Sequence, residues 1–99
     1  MALTGKQARH LRALGHHLDP VVHLGKEGVT EALAQAIDQA LTDHELVKVK
    51  FNPEAPDDRH EAAQSLATTL RAEVAQVLGR TMLLYRRHPS LPKINLPLP

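Results

Sequence analysis

The chain has 99 residues, twelve Lys and Arg against eleven Asp and Glu, no Cys, and only two residues of the Phe, Trp and Tyr type, Phe51 and Tyr85. That length suits one domain around one aliphatic core, the missing thiols exclude disulfides and thiolate metal sites, and two aromatics argue against base stacking as a main way of holding nucleic acid. The net charge of +1 decides little, but the charge is segregated: Lys6, Arg9, Arg12 and Lys26 face Asp19 alone, Glu27, Glu31, Asp38, Asp43 and Glu45 follow with no Lys or Arg among them, and Arg86, Arg87 and Lys93 come after Arg80 with no acid.

In chain order, the first expected element is a helix capped by Thr4, with Gln7 at capping-box spacing. Ala8, Leu11, Leu14 and Leu18 form its apolar stripe, and Lys6, Arg9, Arg12, His16 and His17 its polar side. Gly15 weakens the last turn and Pro20 stops it. Val21–Leu24 is short, β-branched and followed by glycine, so it reads as a strand. Thr30 is the expected N-cap of a second helix that buries Leu33, Ile37, Ala40 and Leu41 and exposes Glu31, Gln35, Asp38 and Thr42.

The run "ELVKVKF", residues 45–51, alternates as a strand should, with Val47, Val49 and Phe51 on one face and Leu46, Lys48 and Lys50 on the other. "NPEAPDD" is a loop, and Asp57 or Asp58 caps a third helix that buries Ala62, Ala63, Leu66, Ala67 and Leu70. "EVAQVL" and "TMLLYRR" flank Gly79-Arg80 as a hairpin with a type II′ turn. Residues 88–99, with Pro89, Pro92, Pro97 and Pro99, form an extended tail. The order α-β-α-β-α-β-β predicts an α/β (α+β) sandwich with a mixed four-stranded sheet, in a single domain over 1–99.

"VVHLGKEGVTE", residues 21–31, holds the best candidate site. Gly25 and Gly28 can bring backbone close to a ligand, the N–H groups that open the next helix attract an anion, and Lys26 adds positive charge. A strand-to-helix turn favours glycine anyway, so the spacing alone leaves a phosphate-holding turn and a plain tight turn both open. It lacks the spacing of a nucleotide P-loop or a Rossmann fingerprint. His16, His17, Asp19 and His23 do not converge at metal-ligand spacing, so no metal is expected. No acid, base and pocket come together, so the chain reads as non-enzymatic, without cofactor or small-molecule substrate. The N-terminus has no apolar signal region and no run reaches spanning length, so a cytoplasmic protein that avoids membranes is expected.

Taken in order, "PVVHLGKEGVTE", "HELVKVK" and "VLGRTMLLYRR" resemble the CRM domain, named for chloroplast RNA splicing and ribosome maturation. The likeness is greatest to its small stand-alone bacterial form, the YhbY type, and runs from about Leu3 to Leu96. The resemblance implies a fold like the C-terminal domain of translation initiation factor three. It implies RNA as partner, in the form of ribosomal RNA or precursors of the large ribosomal subunit, and a role in ribosome assembly.

Carried onto this chain, the GXXG loop is Gly25, Lys26, Glu27 and Gly28, supported by Lys6, Arg9 and Arg12 of the first helix and by Lys48, Lys50, Arg80, Arg86 and Arg87 of the strands. Glu27 departs from the neutral or basic residue that family members often carry there. The competing expectation, from another class, is a protein-interaction adaptor acting through the acidic helix 30–43 or the proline-rich tail.

Overall fold

The structure, a computed structural model, describes residues 2–99; Met1 lies outside the described residues. Its elements run α1 (Gly5–Gly15), β1 (Val22–Leu24), α2 (Glu31–His44), β2 (Leu46–Phe51), α3 (Arg59–Leu70), β3 (Glu73–Leu78) and β4 (Thr81–Tyr85). The strands form one mixed sheet in the order β1-β2-β4-β3, with β1 parallel to β2 and the other pairings antiparallel. The expected α-β-α-β-α-β-β order and mixed sheet are therefore what the chain adopts. Among the described residues no helix is long and apolar enough to cross a membrane.

The sheet buries both faces. On one, α2 and α3 pack Ile37, Leu41, Ala63 and Leu66 against Leu24, Val47, Val49, Met82 and Leu84. On the other, Leu11 of α1 packs with Leu46, Ala75, Leu83 and Tyr85, and Leu3, Ile94 and Leu96 close the edge. The chain thus folds in three layers, and the tail belongs to the outer one.

Two local features make this second face possible. In β3, Val74 pairs with Leu84 and Gln76 with Leu83, so Ala75 is the extra residue of a bulge. The bulge resets the alternation, placing Val74 and Val77 with one core and Ala75 with the other. Gly15 is buried, and a Cβ there would lie 2.5 Å from Leu83 Cδ2. The glycine expected only to weaken the helix is what lets α1 settle on the sheet.

The buried line of α1 is Gln7, Leu11 and Gly15, four residues apart. Leu14 and Leu18, expected in the core, stay 40% and 37% exposed. Gln7 completes the capping box with Thr4 and spends its amide on the tail, donating to the Pro97 carbonyl at 3.1 Å.

Glu45 corrects the reading of 45–51 as one strand. It is the C-cap of α2, at φ 65° and ψ −42°, and β2 begins one residue later. Positive φ is costly for a residue with a side chain and persists only where the surroundings hold it. Here they do: the buried carboxylate accepts N–H bonds from His88 at 2.7 Å, Lys93 at 2.6 Å and Ile94 at 2.8 Å. The tail is extended, as expected, but it is strapped down over the sheet.

Candidate functional site

The pairing places the glycine turn. Leu24 lies opposite Phe51 and Lys50 opposite Thr81, so the ends of β1 and β2 and the β3–β4 turn share one end of the sheet. Segments 25–30 and 52–58 both leave this end into helices, so α2 and α3 both start here. Two helix N-termini, each with partial positive charge, point the same way. Thr30 caps α2 by accepting from the Leu33 N–H, and Asp58 caps α3 by accepting from the Glu61 N–H.

Asp57, the other candidate cap of α3, has a different task. Its Oδ2 accepts the Val29 N–H at 3.0 Å and ties the 52–58 loop to the glycine turn. The turn closes on itself through Gly28 N–H to the Gly25 carbonyl, 3.0 Å.

The two glycines differ. Gly28 is buried at φ +73°, and a Cβ there would meet Asp57 Oδ2 at 2.7 Å and Pro56 Cγ at 3.3 Å. A side chain at residue 28 runs into the protein, so Gly28 is explained by the turn. Gly25 has no positive φ, and its Cβ would find Asn52 Nδ2 at an ordinary 3.7 Å. Nothing in the fold requires glycine at residue 25.

Around the turn, the N–H groups of Gly28, Val29 and Leu33 already have acceptors. Those of Lys26, Glu27, Thr30, Glu31 and Ala32 have no protein acceptor among the described residues. Of these, Lys26, Glu27, Thr30 and Ala32 border an open cavity of about 670 Å³ that is also lined by His23, Gly25, Gly28, Asn52 and Glu54. Lys26 and Glu27 are both fully on the surface. An unpaired donor set with an exposed lysine suits an anion, and Glu27 and Glu54 oppose it.

The basic residues do not form one patch. Lys50 is exposed at the end of β2 and pairs in register with His23, two residues before the turn. Arg80 is exposed at the tip of the β3–β4 hairpin, where Gly79 takes φ +57° and Arg80 a negative φ, the signs of the expected II′ turn. Arg59, absent from the sequence-derived set, reaches the same tip and donates to the Gly79 carbonyl. Lys48 is half-buried beside Leu14, Leu18 and Val21. Lys6 and Arg9 are exposed and Arg12 half-buried on α1, in the layer across the sheet from α2 and α3.

Arg86 and Arg87 follow Tyr85, which pairs with Leu46 at the other end of the sheet. Arg86 is fully engaged there. Its guanidinium meets Asp38 Oδ1 at 2.6 Å, the carbonyls of Leu70 and Asp38 at 2.9 and 3.0 Å, and Thr42 Oγ1 at 3.0 Å. This arginine pins the C-terminal part of α2 to the end of α3 and does not border the turn. No local signal in "LLYRR" separates it from Arg87; the partners lie 16 to 48 residues away.

A family model described as the CRS1 / YhbY (CRM) domain matches residues 3–86. The chain belongs to this family. It is 38% identical over 96 residues to a Pseudomonas aeruginosa protein named "Probable RNA-binding protein PA4753", covering 97% of this chain and 91% of that one. It is 37% identical over 95 residues to the Bacillus subtilis "Probable RNA-binding protein YqeI", covering 96% and 99%. The solution structure of the hypothetical protein SAV1595 from Staphylococcus aureus superposes with a TM-score of 0.82 at 40% identity, over 96% of this chain and 99% of that one. Within this CRM chain, the glycine turn, the hairpin tip and the 52–59 segment form one contiguous end of the sheet.

Proposed function

We propose that this CRM chain is a cytoplasmic, non-enzymatic RNA-binding protein of one domain, and that it binds ribosomal RNA in precursors of the large ribosomal subunit and assists their assembly. The observation that carries the reading is the match along nearly the whole chain to relatives named as RNA-binding proteins. The geometry supports a role for the glycine turn: open N–H groups, two helix N-termini and Lys26 gather at one exposed place. Lys50 and Arg80 flank it, and Lys6, Arg9 and Arg12 of α1 offer a separate basic surface in the layer across the sheet from α2 and α3. Arg87 stands apart, exposed at the other end of the sheet, and Arg86 acts by bracing the helices.

The test is binding of single-stranded and structured RNA across a salt series, followed by crosslinking and sequencing of the RNA bound in cells. Affinity should fall steeply and linearly in log–log form as salt displaces the phosphate contacts. The crosslinks should concentrate in large-subunit ribosomal RNA. Affinity insensitive to salt, or crosslinks spread over all transcripts in proportion to abundance, would defeat the reading.

A further inference from the structure

Phosphate contacts at a glycine turn position a strand but carry no sequence information. A reader of bases, if the fold has one, must lie beside the turn. Asn52 occupies that place. It lines the cavity around the glycine turn and also a second cleft of about 330 Å³ between the 52–59 segment and the hairpin tip. Ligand cavities run from roughly 300 to 1,000 Å³, so the cleft has the size for one small planar group.

The backbone of Asn52 is fixed. Its N–H donates to the Leu24 carbonyl at 2.8 Å, and its carbonyl accepts from Ala55 at 3.0 Å. The preceding Phe51 N–H donates to the Arg80 carbonyl at 2.7 Å. Its side-chain amide is half-buried and has no hydrogen-bond partner among the described residues. The result is a side chain carried on a fixed backbone, with its amide donor and its acceptor both available.

The walls of the second cleft say what belongs in it. Arg59 and Arg80 bring cationic, planar guanidinium groups, while Asp57 brings a carboxylate. That carboxylate repels a phosphate but not a neutral base. The lining is mainly polar, with only a small apolar margin from Pro53 and Ala55, and guanidinium planes stack on unpaired bases. A carboxamide, with its paired donor and acceptor, matches the edge of a base.

We infer that the cleft beside the glycine turn takes one unpaired RNA base and that Asn52 reads its edge. The inference rests on the RNA-binding reading above. In this arrangement the strand lays a phosphate on the turn and the neighbouring base on the far side of Asn52. Arg59 also donates to the Gly79 carbonyl and so ties the 52–59 side of the cleft to the hairpin tip.

The experiment measures binding of labelled oligo(A), oligo(C), oligo(G) and oligo(U) of equal length to the whole chain and to N52A, N52D and K26E. The wild type should separate the best and worst RNA by roughly tenfold or more, the usual worth of a paired base-edge contact. N52A should shrink that spread to within about twofold while leaving the salt dependence unchanged. N52D, which replaces the donor by an acceptor, should change which RNA binds best. Thermal midpoints equal to wild type establish that each variant is folded. A wild type that binds all four RNAs equally, or an N52A variant that weakens all of them by one common factor, overturns the inference and leaves the turn's role standing. An unchanged salt dependence in K26E overturns the turn's role, and the inference falls with it.

Discussion

At one end of the sheet two helices start; at the other, the same two helices stop. Where α2 and α3 start, the N–H groups from Lys26 to Ala32 are only partly used, and the side chains that brace the turn, Asp57 and Thr30, do so from exposed or half-exposed positions. Where they stop, their carbonyls are claimed. Arg86 takes that of Leu70, the last residue of α3, and also that of Asp38 further back in α2, and Lys93 Nζ takes that of Asp43. Glu45 is buried and gathers three N–H groups of the tail. The closed end spends its polar groups on the fold; at the open end several donors have no protein acceptor among the described residues. The same helix dipoles make the first end attractive to anions and the second attractive to cations.

The largest way to break this contrast is E45A. Hydrogen bonds to a charged group each contribute about 1.5–3 kcal/mol, and three are lost together, though hydration of the freed tail offsets part of the loss. The expected destabilisation is about 2–4 kcal/mol in urea unfolding, with amide exchange accelerated over residues 88–96. RNA affinity, measured where the variant is still folded, should change by less than about twofold. A loss of affinity as large as that of a turn variant would show that the two ends are coupled, and the comparison would fail.

The same end should respond to pH. Burial raises the Glu45 carboxyl, but the N–H groups of His88, Lys93 and Ile94 and the nearby His88 charge outweigh it, and the pKa lies below the usual 4.5. A depressed carboxyl contributes stability that is fully present above the unfolded value and is lost as pH falls through the folded one. Tail protection should therefore hold from neutral pH down to about 4.5 and fall below it. Tyr85 carries the opposite sign. Its pKa is raised above 10.0 by burial and then by the Glu45 charge, against a smaller lowering by Arg87, so its contribution is present below 10.0 and lost as pH rises through the raised value. Acid unfolding that begins at the glycine turn while the tail stays protected would contradict this account.

Sequence reasoning found the elements because their signals are local. Thr4, Thr30 and Asp58 cap helices within three residues of themselves, and Gly79 turns a two-residue hairpin. Glu45 escaped because its partners are backbone N–H groups 43 to 49 residues later, and a backbone donor has no residue type to read. Ala75 escaped because a bulge inside "EVAQVL" looks like plain alternation. The turn itself was legible as a candidate. Its two glycines were not distinguishable, since φ +73° at Gly28 and the nearby Asp57 appear only in the fold.

That difference sharpens the comparison at the open end. G28A sets a side chain at positive φ and against Asp57 Oδ2, at a cost of about 1–2 kcal/mol. It should lower both the unfolding midpoint and the RNA affinity, because the turn must rearrange. G25A meets only an ordinary contact, so stability should hold within about 0.5 kcal/mol. If backbone approach at residue 25 matters, affinity alone drops. Equal affinity for G25A and wild type would mean that RNA does not come close to the turn on that side.

The smallest effect discriminates most finely, because it leaves the backbone alone. Lys26 and Glu27 are adjacent, exposed and at the open end; Arg87 is exposed at the closed end. K26E removes one phosphate contact and should lower the slope of log affinity against log salt by about one. E27K removes a repelling carboxylate and should strengthen binding and steepen that slope by a similar amount. R87E makes the same size of charge change as K26E. If it lies beyond the strand that crosses the turn, its effect is confined to screened long-range attraction, which fades at a Debye length of about 8 Å in physiological salt. The slope should then stay near that of wild type. Should R87E match K26E in slope, the RNA spans both ends of the sheet and the closed end is part of the interface. Should K26E and E27K both leave slope and affinity unchanged, the glycine turn is a joint between strand and helix and nothing more, and the phosphates lie along Lys6, Arg9 and Arg12 of α1.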